Sequence, residues 1–271
     1  MPVFVHDGIH FHYRDEGAGL PFVFQHGLGG DVNQPFGFFE DLLKPAPPFR
    51  LIALDCRAHG ETRPLGPESK ICLASYADDV IALMDALGLE GAIVGGISMG
   101  AAVALNLVLR YPARVRGLVL SRPAWLDAPL PENLTILTRV AEYIRTYGAG
   151  EGRDRFIQSE DYTRAFAESP DVAKSLISQF EHPRAEETAV KLERIPRDAP
   201  GTDRGEWSHI NVPALVLANR QDPIHPFAFG AILAAAIPGA EFQELTPKSV
   251  SISGHTRDVQ RHILNFIRRL P

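Results

Sequence analysis

A chain of 271 residues with 45% hydrophobic content can bury one substantial core and still carry an inserted subdomain. Its formal charge of −6 arises without any block of like charge, which argues against nucleic acid or an anionic membrane as partner and fits a small, neutral or modestly polar molecule. Cys56 and Cys72 are the only cysteines, too few for a disulfide framework, so a reducing compartment is the default.

The first residues, Met1 to Asp7, hold neither a basic nor a long apolar segment, and no run reaches the ~20 apolar residues of a membrane span. A soluble, cytoplasmic protein is expected. Val3 to Val5 and Ile9 to Tyr13 alternate around Asp7-Gly8, which predicts an antiparallel hairpin at one edge of a sheet. His10 and His12 share a face there; with no third ligand near, they read as solvated side chains and no metal site is expected. Continuous apolar runs follow at Phe22–Phe24, Leu51–Leu54, Ala92–Val94, Leu118–Leu120 and Ala214–Leu217. Strands of that kind are covered on both faces, as in a parallel sheet.

Helical patterns lie between the runs, at Tyr76 to Leu87 and Met99 to Leu109, and right-handed crossovers then imply a doubly wound α/β layout. Phe242 to Leu245 supplies a last strand and Val259 to Leu270 a closing helix. Residues 124–206 break the rhythm: Leu134, Leu137, Val140, Ile144, Phe156, Phe166, Leu176, Ile177 and Phe180 have helical spacing with no strand-like run. The expectation is a helical cap at 124–206 packed over the C-terminal edge of a core formed by 1–123 and 207–271.

Within this pattern Gly96-Ile97-Ser98-Met99-Gly100 sits between a strand and a helix. A serine at so sharp a turn is held in a strained conformation costing about 1–3 kcal/mol, with flanking glycines making room for its neighbours. A hydroxyl is a poor nucleophile unless a histidine takes its proton and a carboxylate fixes that histidine's tautomer. Asp222 follows the run Leu215 to Ala218, and His255 follows the last strand just before the closing helix. Three such residues at the carboxyl ends of three strands can converge.

With these motifs in this order, nearly the whole chain resembles an α/β-hydrolase fold enzyme. The resemblance implies a mostly parallel eight-stranded sheet flanked by helices, with a catalytic triad of Ser98, Asp222 and His255. It also implies that His26-Gly27-Leu28-Gly29-Gly30 is the oxyanion loop, with the backbone N–H groups of Leu28 and Met99 as donors. Asp55-Cys56-Arg57-Ala58-His59-Gly60-Glu61-Thr62 resembles the family's Asp-x-Arg-Gly-His-Gly-x-Ser turn, with His59 structural. Ala58, Thr62 and Ala101 depart from the usual glycine, serine and glycine without removing a catalytic group. Thr256 stands where relatives that cleave carbon–carbon bonds commonly have tryptophan, and Ser98 argues against a haloalkane dehalogenase, which uses aspartate.

Asp127 competes with Asp222 as the acid and reads instead as a hinge of the cap. His225, three residues beyond Asp222, competes with His255 as the base. Phe36, Trp125 and Phe227, near strand ends or the cap junction, are the candidate substrate-binding residues, with ordinary core packing as the alternative fate of each. Arg122 and Arg220 could meet a substrate carboxylate or sit in surface ion pairs, and carry no assignment. The expected activity is cofactor-independent hydrolysis of a small or medium carboxylic ester or lactone through an acyl-enzyme on Ser98, by a chain whose oligomeric state, including a homodimer, is open. The alternatives are a carbon–carbon bond hydrolase of the same fold and a slow-turnover ligand receptor with an intact triad.

Overall fold

The computed structural model describes residues 2–43 and 49–270. In chain order the strands are β1 (Val3–His6), β2 (Ile9–Gly17), β3 (Leu20–Gln25), β4 (Phe49–Leu54), β5 (Ala92–Ile97), β6 (Val115–Ser121), β7 (Ala214–Ala218) and β8 (Glu241–Glu244). The helices are α1 (Asn33–Phe39), α2 (Leu73–Ala86), α3 (Met99–Arg110), α4 (Thr135–Ile157), α5 (Glu160–Glu168), α6 (Pro170–Glu181), α7 (Ala185–Thr188), α8 (Val190–Arg194), α9 (Phe227–Ala236) and α10 (Ile252–Ile267).

The eight strands form one sheet in the order β1-β2-β4-β3-β5-β6-β7-β8. The hairpin β1–β2 joins it antiparallel through β2 and β4, and all pairings from β4 to β8 are parallel. Because successive side chains of a strand point to opposite faces, the apolar runs feed two cores. Phe22, Phe24, Leu51 and Ile93 pack with Phe36 and Phe39 of α1 and with Val259, Ile263 and Phe266 of α10. Val23, Ile52, Val94 and Leu118 face α2, α3 and α9 on the other side. Phe22, Phe24, Phe39 and Phe49 meet nearly edge to face, with centroids 5.5–5.9 Å apart for Phe22–Phe49, Phe24–Phe39 and Phe22–Phe39. Such pairs contribute ~0.5–1.5 kcal/mol each beyond the area they bury.

One buried polar hub ties the strand ends together. Asp55, just beyond β4, accepts the N–H of Val32 through Oδ1 and the N–H of Glu61 through Oδ2, each at 2.8 Å. Its Oδ2 also lies 2.8 Å from His12 Nδ1. His12 is therefore buried and paired, not solvated as its strand spacing suggests; His10 is exposed. Gly60 has φ 46°, and a Cβ there would fall 2.0 Å from Asp55 Oδ2, so the turn requires glycine on both counts. Arg57 binds Asp79 of α2 with two hydrogen bonds of 2.7 Å, both partners buried.

Between β6 and β7 the chain forms no strand, only α4 to α8 and short 3₁₀ helices. Phe156 and Phe180 of these helices are buried, with ring centroids 5.4 Å apart. Phe166, expected in the same apolar set, is 53% exposed, because α5 is short and turns that face to solvent. Asp127 near the start of this excursion pairs with Arg204 near its end at 2.7 Å. The closing helix differs from expectation as well. Ser251 accepts the N–H of Gly254 as an N-cap, so α10 begins at Ile252 and His255 lies in its first turn, not in a preceding loop.

Candidate active site

Ser98 ends the tight link from β5 to α3 with φ 55° and ψ −111°. Only close packing sustains such a backbone in a non-glycine residue. That packing is visible in the flanking glycines: a Cβ on Gly96 would lie 2.4 Å from the carbonyl carbon of Gly100, and one on Gly100 would lie 2.3 Å from the carbonyl oxygen of Gln25. Ser98 is 9% exposed and opens into a cavity of about 270 Å³.

The floor of that cavity is Gly27, Leu28, Gly29, Ile97 and Ser98, and its roof is Leu137 of α4 with Ser169, Asp171, Val172, Leu176 and Gln179 at or on α6. The N–H of Met99 is the first of α3, so no helical carbonyl can accept it. In the preceding loop, Gly27 donates to Gln34 Oε1 at 2.7 Å and Gly30 donates to the Gly27 carbonyl at 2.9 Å, turns that leave the Leu28 N–H outside the loop's own bonding. The Leu28 carbonyl is held from behind by His59 Nε2 at 2.9 Å. The backbone N–H groups of Leu28 and Met99 are thus both without a partner inside their own turns.

His255 is buried, and its Nδ1 lies 2.9 Å from the carbonyl oxygen of Thr246. A carbonyl only accepts, so Nδ1 carries the proton and Nε2 carries the lone pair. Nε2 is buried without a hydrogen-bond partner, Ser98 included. Burial foremost, and then the charge of Arg122, lower the His255 pKa to about 4, so the ring is neutral at pH 7. Thr246 is itself clamped: Asp258, one turn along α10, accepts from its N–H at 2.8 Å and from its hydroxyl at 2.6 Å.

Asp222 lines the cavity with Ser98, but the expected hydrogen bond from His255 to Asp222 is not formed. Arg122, which follows β6 at φ 50°, takes Asp222 Oδ2 through Nε at 3.0 Å and Nη2 at 2.5 Å. His225 Nδ1 lies between Asp222 Oδ1 at 2.9 Å and Arg122 Nη2 at 3.0 Å. Burial by itself raises a carboxyl, yet the charges and hydrogen bonds of His225 and Arg122 outweigh it and hold Asp222 well below its ordinary range. Burial also lowers His225, so at pH 7 the lasting cation of the trio is Arg122.

None of the aromatic residues expected to bind substrate lines this cavity. Phe36 is buried in the core under the guanidinium of Arg14, 3.8 Å from the ring centroid. Trp125 is buried beside Ala101, Ala102 and Leu233, and Phe227 is half-buried, tilted against Phe242 with the Arg220 guanidinium over its ring. Aromatic side chains at strand–helix junctions gain more from these enclosed apolar sites than from a partly wet cleft. Sequence reasoning missed Lys248, Asn219, Gln179 and the α6 hydroxyls that do line the cavity; loop and amphipathic-helix polar residues carry no pattern that marks them. Among the described residues no group of three or more His, Cys, Asp or Glu is placed to hold a metal ion, and no helix is long and apolar enough to cross a membrane.

The model of the alpha/beta hydrolase fold family matches residues 21–249. The chain is 27% identical over 238 residues to 3-oxoadipate enol-lactonase 2 of Acinetobacter baylyi, covering 84% of this chain and 81% of the relative. It is 34% identical over 128 residues to 2-hydroxymuconate semialdehyde hydrolase of Pseudomonas sp. strain CF600, which covers 47% of this chain and 44% of the relative. Among solved structures it is similar to the enol-lactonase from Burkholderia xenovorans LB400, with a TM-score of 0.76 and 26% identity over 99% of this chain and 100% of that one. Sheet order, elbow and full-length likeness agree: the chain belongs to the alpha/beta hydrolase fold family.

Proposed function

We propose that this hydrolase cleaves a small or medium carboxylic ester or lactone through an acyl-enzyme on Ser98. The observation that carries the reading is the strained Ser98 at the β5–α3 elbow, opening into a cavity of about 270 Å³. In the acylation step the Ser98 hydroxyl gives its proton to His255 Nε2 as Oγ bonds to the carbonyl carbon. The carbonyl oxygen becomes an anion held by the N–H groups of Leu28 and Met99, each such donor commonly worth ~2.7–4 kcal/mol at the transition state. Collapse expels the alkoxide, which takes the proton from His255. Water then repeats the sequence on the acyl-enzyme, with His255 again as base.

In this reading the Thr246 carbonyl sets the His255 tautomer, and Asp222 acts on the imidazolium through its charge at a distance. The α4–α8 excursion is the cap of a core made of 1–123 and 207–271, and the volume beneath it suits short acyl chains better than long lipids. Resemblance to an enol-lactonase over most of both chains supports the ester or lactone class.

The test is hydrolysis of 4-nitrophenyl esters from acetate to decanoate, beside Ser98→Ala and labelling by a fluorophosphonate. Turnover on short esters that Ser98→Ala lowers by several orders of magnitude is expected. Stoichiometric labelling of Ser98 without ester turnover would favour the alternative of a carbon–carbon bond hydrolase.

A further inference from the structure

Lys248 lines the Ser98 cavity from the loop between β8 and α10. It is half-buried, and among the described residues no carboxylate oxygen lies within 4.0 Å of its ammonium. Every other cation at the cavity is matched: Arg122 spends Nε and Nη2 on Asp222. The one further carboxylate lining the cavity, Asp171, belongs to the first turn of α6 on the roof and does not reach the lysine. A partly desolvated ammonium with no counter-ion is costly unless something anionic completes it. Burial foremost and then the charge of Arg122 lower the Lys248 pKa to about 8, and Asp222 and Asp171, which act on it from beyond ion-pair distance, offset this only in part.

We propose that Lys248 is an anion-recognition residue of this cavity, backed by the Arg122 guanidinium, and that the ester or lactone presented to Ser98 carries a carboxylate. The chemistry of the walls agrees. Beyond Leu28, Ile97, Leu137, Val172, Leu176 and Ile224, the lining is mostly polar, and the hydroxyl protons of Ser169 and Ser175 are left to donate to carboxylate oxygens, those of Ser178 and Ser249 being given to Ser175 and Gln221. The scissile carbonyl would sit between Leu28 and Met99, and the carboxylate end would point toward the β8–α10 loop. This assignment rests on the hydrolase reading of Ser98 for its consequence in turnover, but the binding site itself does not.

The experiment therefore has two readouts. The first compares kcat/KM for 4-nitrophenyl pentanoate and for the mono-4-nitrophenyl ester of glutaric acid, which match in chain length and differ in terminal charge. Wild type should prefer the charged ester, Lys248→Met should cut that preference about tenfold or more, and Lys248→Arg should keep most of it. The second is calorimetric binding of glutarate to Ser98→Ala with and without Lys248→Met, with the folded state of each variant checked by its melting temperature. Glutarate binding weakened about tenfold by Lys248→Met supports the site even if neither ester is turned over, an outcome that would sink only the hydrolase reading. Turnover of both esters with a charge preference indifferent to Lys248→Met, or an equal fall for both esters, overturns the anion site and leaves the hydrolase reading standing.

Discussion

His255 donates its Nδ1–H to the carbonyl oxygen of Thr246 at 2.9 Å, and that single contact decides which imidazole nitrogen carries the proton. A hydrogen-bonded acceptor on Nδ1 leaves Nε2 deprotonated, which is the form that can take a proton from Ser98. The acceptor is a main-chain oxygen held by Asp258 through the N–H and hydroxyl of Thr246, so the carboxylate acts on His255 at one remove. Asp222 meanwhile neutralises Arg122.

Asp258→Ala should release Thr246 and loosen the tautomer of His255. The expected result is a fall in kcat of about tenfold or more with KM little changed, because positioning of a base matters in the transition state and not for substrate binding. Steady-state kinetics on a short neutral ester reads this directly. An unchanged kcat would mean that Thr246 does not set the base.

Asp222→Asn removes the counter-charge from a guanidinium whose side chain is only 10% exposed. Leaving a buried cation uncompensated costs ~3–5 kcal/mol, so the melting temperature should fall on the order of 10 °C. Replacing both partners, Arg122→Met with Asp222→Asn, should recover much of it. The kinetics of the same variant separate two roles: a loss near ~10⁴ in kcat is what removal of a directly orienting carboxylate costs, and a much smaller loss is expected where Thr246 orients the ring.

The pH–rate profile follows from the same ring. His255 must be neutral to act as base, and its pKa is lowered from 6.5 to about 4 by burial and by Arg122. With a neutral ester, kcat/KM should stay level from pH 8 down to about 5 and fall only near 4, well below the limb an ordinary imidazole would give. An acid limb centred near 6.5 would show that His255 is not held in this environment.

Much of this site was legible in the sequence, and the limits are physical. Gly96 and Gly100 advertise the elbow because only glycine survives the contacts with each other and with Gln25, so spacing alone located Ser98. The apolar runs located the parallel strands because both faces of the sheet are covered. The partner of His255 was not legible: it depends on Ser251 capping α10 early enough to turn the ring toward Thr246, a matter of one helical turn. Phe36 and Trp125 misled because an aromatic side chain near a strand end has the same sequence signature whether it enters the core or the cleft, and Phe227 is half-buried under Arg220. Lys248 had no signature at all, since its isolation is a property of what surrounds it in space.

Linkage turns the same histidine into a stability prediction. The folded state holds His255 at about 4 against an ordinary 6.5, and burial also lowers His26, His59 and His225. An unfolded chain takes up protons below about 6.5 that the folded chain refuses, so this stability is complete above that pH and is lost as pH falls toward 4. For His255 alone the loss amounts to ~3 kcal/mol. Urea midpoints should therefore drop between pH 7.5 and 5, and His255→Gln should narrow the drop; equal midpoints at both pH values would contradict the burial of these rings.

Gly100, two residues beyond Ser98, and Gly29 of the cavity floor should respond oppositely to alanine. A Cβ on Gly100 meets the backbone oxygen of Gln25 at 2.3 Å, and neither β3 nor α3 can retreat without opening the sheet, so Gly100→Ala should lose several kcal/mol or fail to fold. A Cβ on Gly29 meets the side-chain amide of Gln179, its Nε2 at 2.1 Å, and that amide ends a flexible arm reaching down from α6. Gly29→Ala should fold with a melting temperature close to wild type, because Gln179 can rotate away. What it should change is the cavity, since Gln179 and Gly29 both line it and the displaced amide must move toward solvent or toward substrate. The expected signature is a shifted KM for longer esters with labelling of Ser98 by fluorophosphonate intact. A Gly29→Ala protein that fails to fold would mean that α6 is locked onto the loop between β3 and α1 and cannot give way.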